Sequence, residues 1–106
     1  MAQKTQREVP TGRLYIHSSY NNTIVTCTDE KGNVLAASSG GRAGFKGPKK
    51  STAYAASAVV KDMLQRLAPY GMKELYVFVR GVGAGRESAV RAINAQGMHI
   101  LSVKDV

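Results

Sequence analysis

Leu75-Tyr76-Val77-Phe78-Val79, followed by Arg80 and then Gly81-Val82-Gly83-Ala84-Gly85-Arg86, is the stretch on which the fold turns. Five unbroken apolar residues are too few to span a membrane and too continuous for a half-exposed strand, so they predict a central strand covered on both faces. The alternate glycines then end it. A second, shorter helix is expected from about Arg86 to Gln96, with Gly97 in the C′ position, and His99 to Lys104 reads as a closing strand. Helix crossovers between strands imply parallel neighbours.

Upstream, Ala56, Val59, Val60, Met63, Leu64 and Leu67 recur at helical spacing, and Ser51 or Thr52 supplies an N-cap for a helix running to about Ala68. Pro69 and Gly71 stop it. Nearer the start, Leu14 and Ile16 alternate with Tyr15 and His17, which is strand periodicity. Asn21-Asn22 tolerates the positive φ of a tight turn and leads into the β-branched run Thr23 to Thr28; Asp29 to Asn33 turns again into Val34 to Ala37. The order is β-β-β-α-β-α-β. It predicts an α/β domain over residues 13–106, a mixed five-stranded sheet with two helices packed on it, preceded by a mobile basic N-terminal arm over 1–12 that carries Lys4 and Arg7.

The chain has 106 residues, one domain's worth, and 15 Lys and Arg against 7 Asp and Glu leave a net charge of +8. Such an excess predicts a polyanionic partner. Cys27, the single cysteine, has no partner within the chain for a disulfide, and four zinc ligands are lacking, so a reducing compartment fits. No run is long and apolar enough for a membrane span, and Met1 to Gly12 has no apolar core for export. Asn21-Asn22-Thr23 matches a glycosylation sequon, but nothing marks the chain as secreted.

Two loops carry the charge. Between Glu30 and Asp62 there are six positive residues and no acidic one, and Arg42, Phe45, Lys46, Gly47, Lys49, Lys50 and Ser51 fall in the Gly-rich part of that stretch. Cations spaced by glycine, with one aromatic ring for stacking, resemble a nucleic-acid grip more than a solvated face. In the second loop, Gly81, Gly83 and Gly85 stand between Arg80 and Arg86 at a strand-to-helix junction, where backbone N–H groups and the helix dipole favour phosphate. Neither loop is a nucleotide motif. The third glycine of a dinucleotide fingerprint would fall on Arg86, and Lys49 stands where a P-loop needs glycine.

Catalysis finds little support, because the acids Glu8, Asp29, Glu30, Asp62, Glu74, Glu87 and Asp105 are scattered along the chain and do not cluster as a two-metal site requires. His17 and His99 lack metal-ligand or triad spacing, and His17 is at most a phosphate contact. No cofactor is implied. A phosphate- or nucleotide-binding enzyme using Gly81 to Arg86 stands as the alternative function, and a module whose basic face meets an acidic protein as a further one.

Ser19-Tyr20-Asn21-Asn22-Thr23-Ile24-Val25-Thr26, Gly44-Phe45-Lys46-Gly47, Lys49-Lys50-Ser51-Thr52, Gly81 to Ser88 and Arg91-Ala92-Ile93, taken in order, closely resemble the ribosomal small-subunit protein eleven family. The resemblance covers Arg13 to Val106 and implies a ribonuclease-H-like fold without catalytic residues. It also implies a place on the platform of the small subunit, near the mRNA exit and the E site, with small-subunit rRNA and neighbouring platform proteins as partners and mRNA close by. That ribosome is expected in the cytoplasm, with an organellar one left open. Carried over by residue, the family's RNA-contacting loops fall on Arg42 to Ser51 and Arg80 to Arg86, and Asn21-Asn22 matches a turn near RNA. Where the family usually has prolines this chain has Val82, Ala84 and Ala53, which leaves those backbones less constrained. The family's Pro- and Arg/Lys-rich tail would follow Val106, where this chain stops.

Overall fold

A computed structural model of the chain describes residues 8–19, 22–41, 44, 52–81 and 85–106. Three strands come first: β1 (Thr11–Ser18), β2 (Thr23–Thr28) and β3 (Val34–Ser39). Helix α1 (Ala53–Leu67) then leads through a single 3-10 turn at Ala68–Tyr70 into β4 (Glu74–Gly81), followed by α2 (Gly85–Ala95) and β5 (His99–Asp105). The expected α/β domain is present, with a mixed five-stranded sheet and two helices, consistent with the ribonuclease-H-like fold that the resemblance implies.

Local chemistry places most boundaries. The Thr52 hydroxyl accepts the Ala55 N–H at 3.1 Å and starts α1, the N-cap role that threonine performs for an otherwise unpaired donor. Glu87 lies in the first turn of α2, where a carboxylate complements the helix dipole. Between β2 and β3 the buried Asp29 organises the turn: its carboxylate accepts the Lys31 and Asn33 N–H groups at 2.9 Å and Asn33 Nδ2 at 3.1 Å.

The sheet order is β3-β2-β1-β4-β5, with β1 antiparallel to β2, β2 antiparallel to β3, and β4 parallel to both β1 and β5. The expectation of parallel neighbours therefore holds for β4 and β5 but not for β3 and β4. The β1–β2–β3 meander leaves the second edge of β1 open, and the α1 crossover carries the chain across it so that β4 pairs there.

Both helices lie on one face. Leu14, Ile16, Val25, Cys27, Leu75, Val77 and Val79 point into it and are buried, α1 covering β2 and β3 while α2 reaches β1, β4 and β5. From α1 come Ala55, Ala56, Val59, Val60, Met63 and Leu67; from α2, Ala89, Ala92 and Ile93. Each large side chain so buried contributes about 1.5–3 kcal/mol. Among the described residues nothing covers the second face of β4, contrary to the sequence reading. Its apolar run includes Tyr76 and Phe78, which share the open face with Tyr15, and the Phe78 ring stacks on Tyr15 with centroids 5.0 Å apart. Rings stacked across strands shelter one another without a second helical layer.

Of the mobile N-terminal arm expected over residues 1–12, residues 1–7 lie outside the described residues, and the rest is tied to the domain. Val9 is buried and its N–H donates to the Tyr70 carbonyl at 2.9 Å, the Lys73 N–H donates to the Pro10 carbonyl, and Thr11 and Gly12 already pair with β4. Backbone pairing across the chain, invisible to local alternation, ties this segment down. The loop expected from Ser38 likewise starts later, because Ser38 and Ser39 pair with β2.

Candidate nucleic-acid interface

Strand register brings the described ends of the two charged segments to one end of the domain. Ser18 at the end of β1 pairs with both Thr23 and Gly81, and Ser39 at the end of β3 pairs with Ile24. The described residues flanking the first basic segment, Gly41 after β3 and Thr52 before α1, and those flanking the second, Gly81 and Gly85, all lie at this end. Both helices therefore begin at this end. Their first turns touch, since a Cβ on Gly85 would lie 3.5 Å from Ala56 Cβ, and two positive helix-dipole ends stand side by side.

Asn22 fixes this corner. Its side-chain oxygen accepts the Thr23 N–H at 2.9 Å and the Gly40 N–H at 3.0 Å, clamping the β1–β2 turn to the end of β3, where the basic loop starts. The Ser19 N–H donates to the Asn22 carbonyl and the Asn22 N–H to the Ser19 hydroxyl. The resemblance places Asn22 in a turn near RNA; the structure gives it a structural task.

Gly81 and Gly85 also have internal reasons to be glycine. Gly81 has φ +108° and a Cβ there would lie 1.8 Å from the Ser18 carbonyl oxygen, while a Cβ on Gly85 would lie 2.6 Å from Thr23 Oγ1 and 3.0 Å from Ser18 Oγ. Arg80 is exposed at the end of β4. Arg86 is engaged within the chain: Nη1 donates to the Gly81 carbonyl at 3.0 Å and Nη2 pairs with Asp105, so the guanidinium braces the mouth of the loop. Asn21, Arg42, Phe45, Lys46, Gly47, Lys49, Lys50, Ser51 and Gly83 lie outside the described residues.

The opposite end is acidic. Glu8, Asp29 and Glu30 line one shallow cleft there beside the single cation Lys31, and Glu74 lies nearby at the start of β4, accepting a hydrogen bond from the Thr11 hydroxyl at 3.1 Å. Asp62 accepts from the Ser38 hydroxyl at 2.6 Å and ties α1 to β3. Cys27 is fully buried, and burial pushes its thiol up to about 12, leaving it protonated and unreactive at neutral pH. Among the described residues no three His, Cys, Asp or Glu side chains are grouped to hold a metal ion, and no helix is long and apolar enough to cross a membrane.

A basic α/β domain that presents loops and helix N-termini at one end, with its lone thiol inert and its carboxylates dispersed or paired, belongs to the class of binding and structural modules. The profile of the family described as Ribosomal protein S11 matches residues 12–106. The small ribosomal subunit protein uS11 of Thermus thermophilus is 50% identical over 103 residues, 97% of this chain and 80% of that protein. The proteins of the same name from Borreliella burgdorferi and Blochmanniella floridana are each 45% identical, over 98% and 100% of this chain and 80% and 82% of theirs. The chain belongs to the ribosomal protein S11 family, a structural constituent of the small ribosomal subunit and not an enzyme. Membership sets aside the nucleotide-binding enzyme.

Proposed function

We propose that the chain binds small-subunit rRNA through the end of the domain where its two Gly-rich loops emerge. The observation that carries the reading is convergence: the segments Gly41 to Thr52 and Gly81 to Gly85, separated in the chain by α1 and β4, have their ends anchored side by side with both helix N-termini, and the acidic cleft lies at the far end. Lys46, Lys49, Lys50, Arg42 and Arg80 supply charge for phosphate oxygens, Phe45 a ring for stacking, and Gly83 room for close backbone approach. Family membership favours the platform of the subunit, near the mRNA exit and the E site, with platform proteins as neighbours, in a cytoplasmic ribosome.

The test replaces Lys49 and Lys50 together by alanine and, as a control, Lys31 and Lys73 at the opposite end. Each lost phosphate contact flattens the dependence of log affinity on log salt by about one unit, so the loop variant should weaken rRNA binding and flatten the slope by about two. The control should match the wild type. Equal losses in the two variants would show that total charge, not this end of the molecule, governs binding.

A further inference from the structure

The face of the sheet that carries no helix is chemically one-sided. By register it presents Arg13, Tyr15 and His17 from β1, Tyr76, Phe78 and Arg80 beside them on β4, and Lys104 on β5. Tyr15 and Tyr76 are each 38% exposed although they sit in the two central strands, and Tyr15 and Phe78 form a parallel stack with an interplanar angle of 15°. Three of the chain's seven aromatic rings are gathered here. The carboxylate on these central strands is Glu74, at the acidic end and engaged by Thr11.

Exposed rings flanked by cations on a rigid sheet are the chemistry of base stacking, since every nucleobase offers a π-face and the phosphates on either side need positive partners. Protein interfaces are also rich in Tyr and Arg, so charge is what discriminates: Arg13, Arg80 and Lys104 flank the rings, the carboxylate on the central strands is engaged by Thr11, and the exposed aliphatics Ile24 and Val34 lie apart on β2 and β3. We infer that the open sheet face stacks the bases of an unpaired RNA strand, with Tyr76 and the Tyr15–Phe78 pair as stacking surfaces and Arg13, Arg80 and Lys104 as phosphate contacts. The inference rests on the RNA-binding reading above and adds to it a second surface with a different ligand chemistry, exposed bases in place of backbone phosphate. Arg80 stands where the two surfaces meet.

The experiment measures binding of the wild type, Tyr76→Ala and Tyr76→Phe to a single-stranded oligoadenylate of ~10 nucleotides and to an RNA duplex of about the same length. Tyr76→Ala should weaken binding to the single strand by roughly tenfold and leave duplex binding within about twofold, because duplex bases are already stacked. Tyr76→Phe, which keeps the ring, should bind as the wild type does, and unchanged far-UV circular dichroism checks that the alanine variant folds. Equal effects of Tyr76→Ala on both RNAs, or no effect on either, would overturn the inference while leaving the loop-end reading in place. Unchanged RNA binding with poorer incorporation of Tyr76→Ala into small subunits would assign the face to a protein instead. Failure of the wild type to bind either RNA would remove both readings.

Discussion

At Gly81 the chain leaves β4 with φ +108°, and a methyl group there would lie 1.8 Å from the Ser18 carbonyl oxygen. Backbone strain alone costs about 1–3 kcal/mol, and the collision adds to it because a carbonyl locked in the ladder has nowhere to move. Gly97 is the natural control, since it too has positive φ, +82°, but nothing within 4 Å of its missing Cβ. Gly81→Ala should therefore lower stability by roughly 3 kcal/mol or more and Gly97→Ala by only about 1–2, as read from urea unfolding. Equal losses would mean that conformation alone, not the approach of Ser18, demands the glycine. The same residue shows why a glycine loop is ambiguous in sequence: spacing suggested room for phosphate, and at positions 81 and 85 the protein's own backbone and hydroxyls already occupy that room.

Among the elements, the β1–β2 turn does more than reverse the chain, because Asn22 ties it to Gly40 at the end of β3. Removing that side-chain acceptor leaves the Thr23 N–H without it, and the Gly40 N–H keeps only its 3.1 Å bond to the Thr23 carbonyl. Asn22→Ala should cost about 1–2 kcal/mol and speed hydrogen exchange at Gly40, while the amide of Val77 in the middle of β4 keeps its protection until global unfolding. Fast exchange at Val77 as well would show that the turn holds the whole sheet and not one corner. Local rules served well where local chemistry decides: the Thr52 cap and the run Thr23 to Thr28 are set by a hydroxyl and by β-branching. They fell short where a partner decides. Thr11 and Ser39 are strand residues because β4 and β2 pair with them, and β3 lies away from β4 because of where a crossover lands.

For the molecule as a whole, charge and shape agree. The anchors of its basic segments and its helix N-termini stand at one end, Glu8, Asp29, Glu30 and Glu74 at the other, and an aromatic, cationic sheet face runs between them. Loop charge was legible from Arg42 to Lys50 and from Arg80 to Arg86, but convergence of the loops required the register of β1 with β2 and β4. The open face is hidden in sequence because Leu75 to Val79 reads as uniformly apolar; Tyr15 and His17 alternate within β1, but their meeting with Tyr76, Phe78 and Arg80 follows only from the pairing of β1 with β4. The most direct test of rRNA recognition by this end is binding of the purified chain to a central-domain small-subunit rRNA transcript and to a scrambled RNA of equal length across a salt series. With ~6 phosphates neutralised, affinity for both should fall with a log-log slope of about −4 to −5, and a preference for the cognate RNA should persist at high salt. Equal affinity for the two RNAs throughout the series would contradict the account.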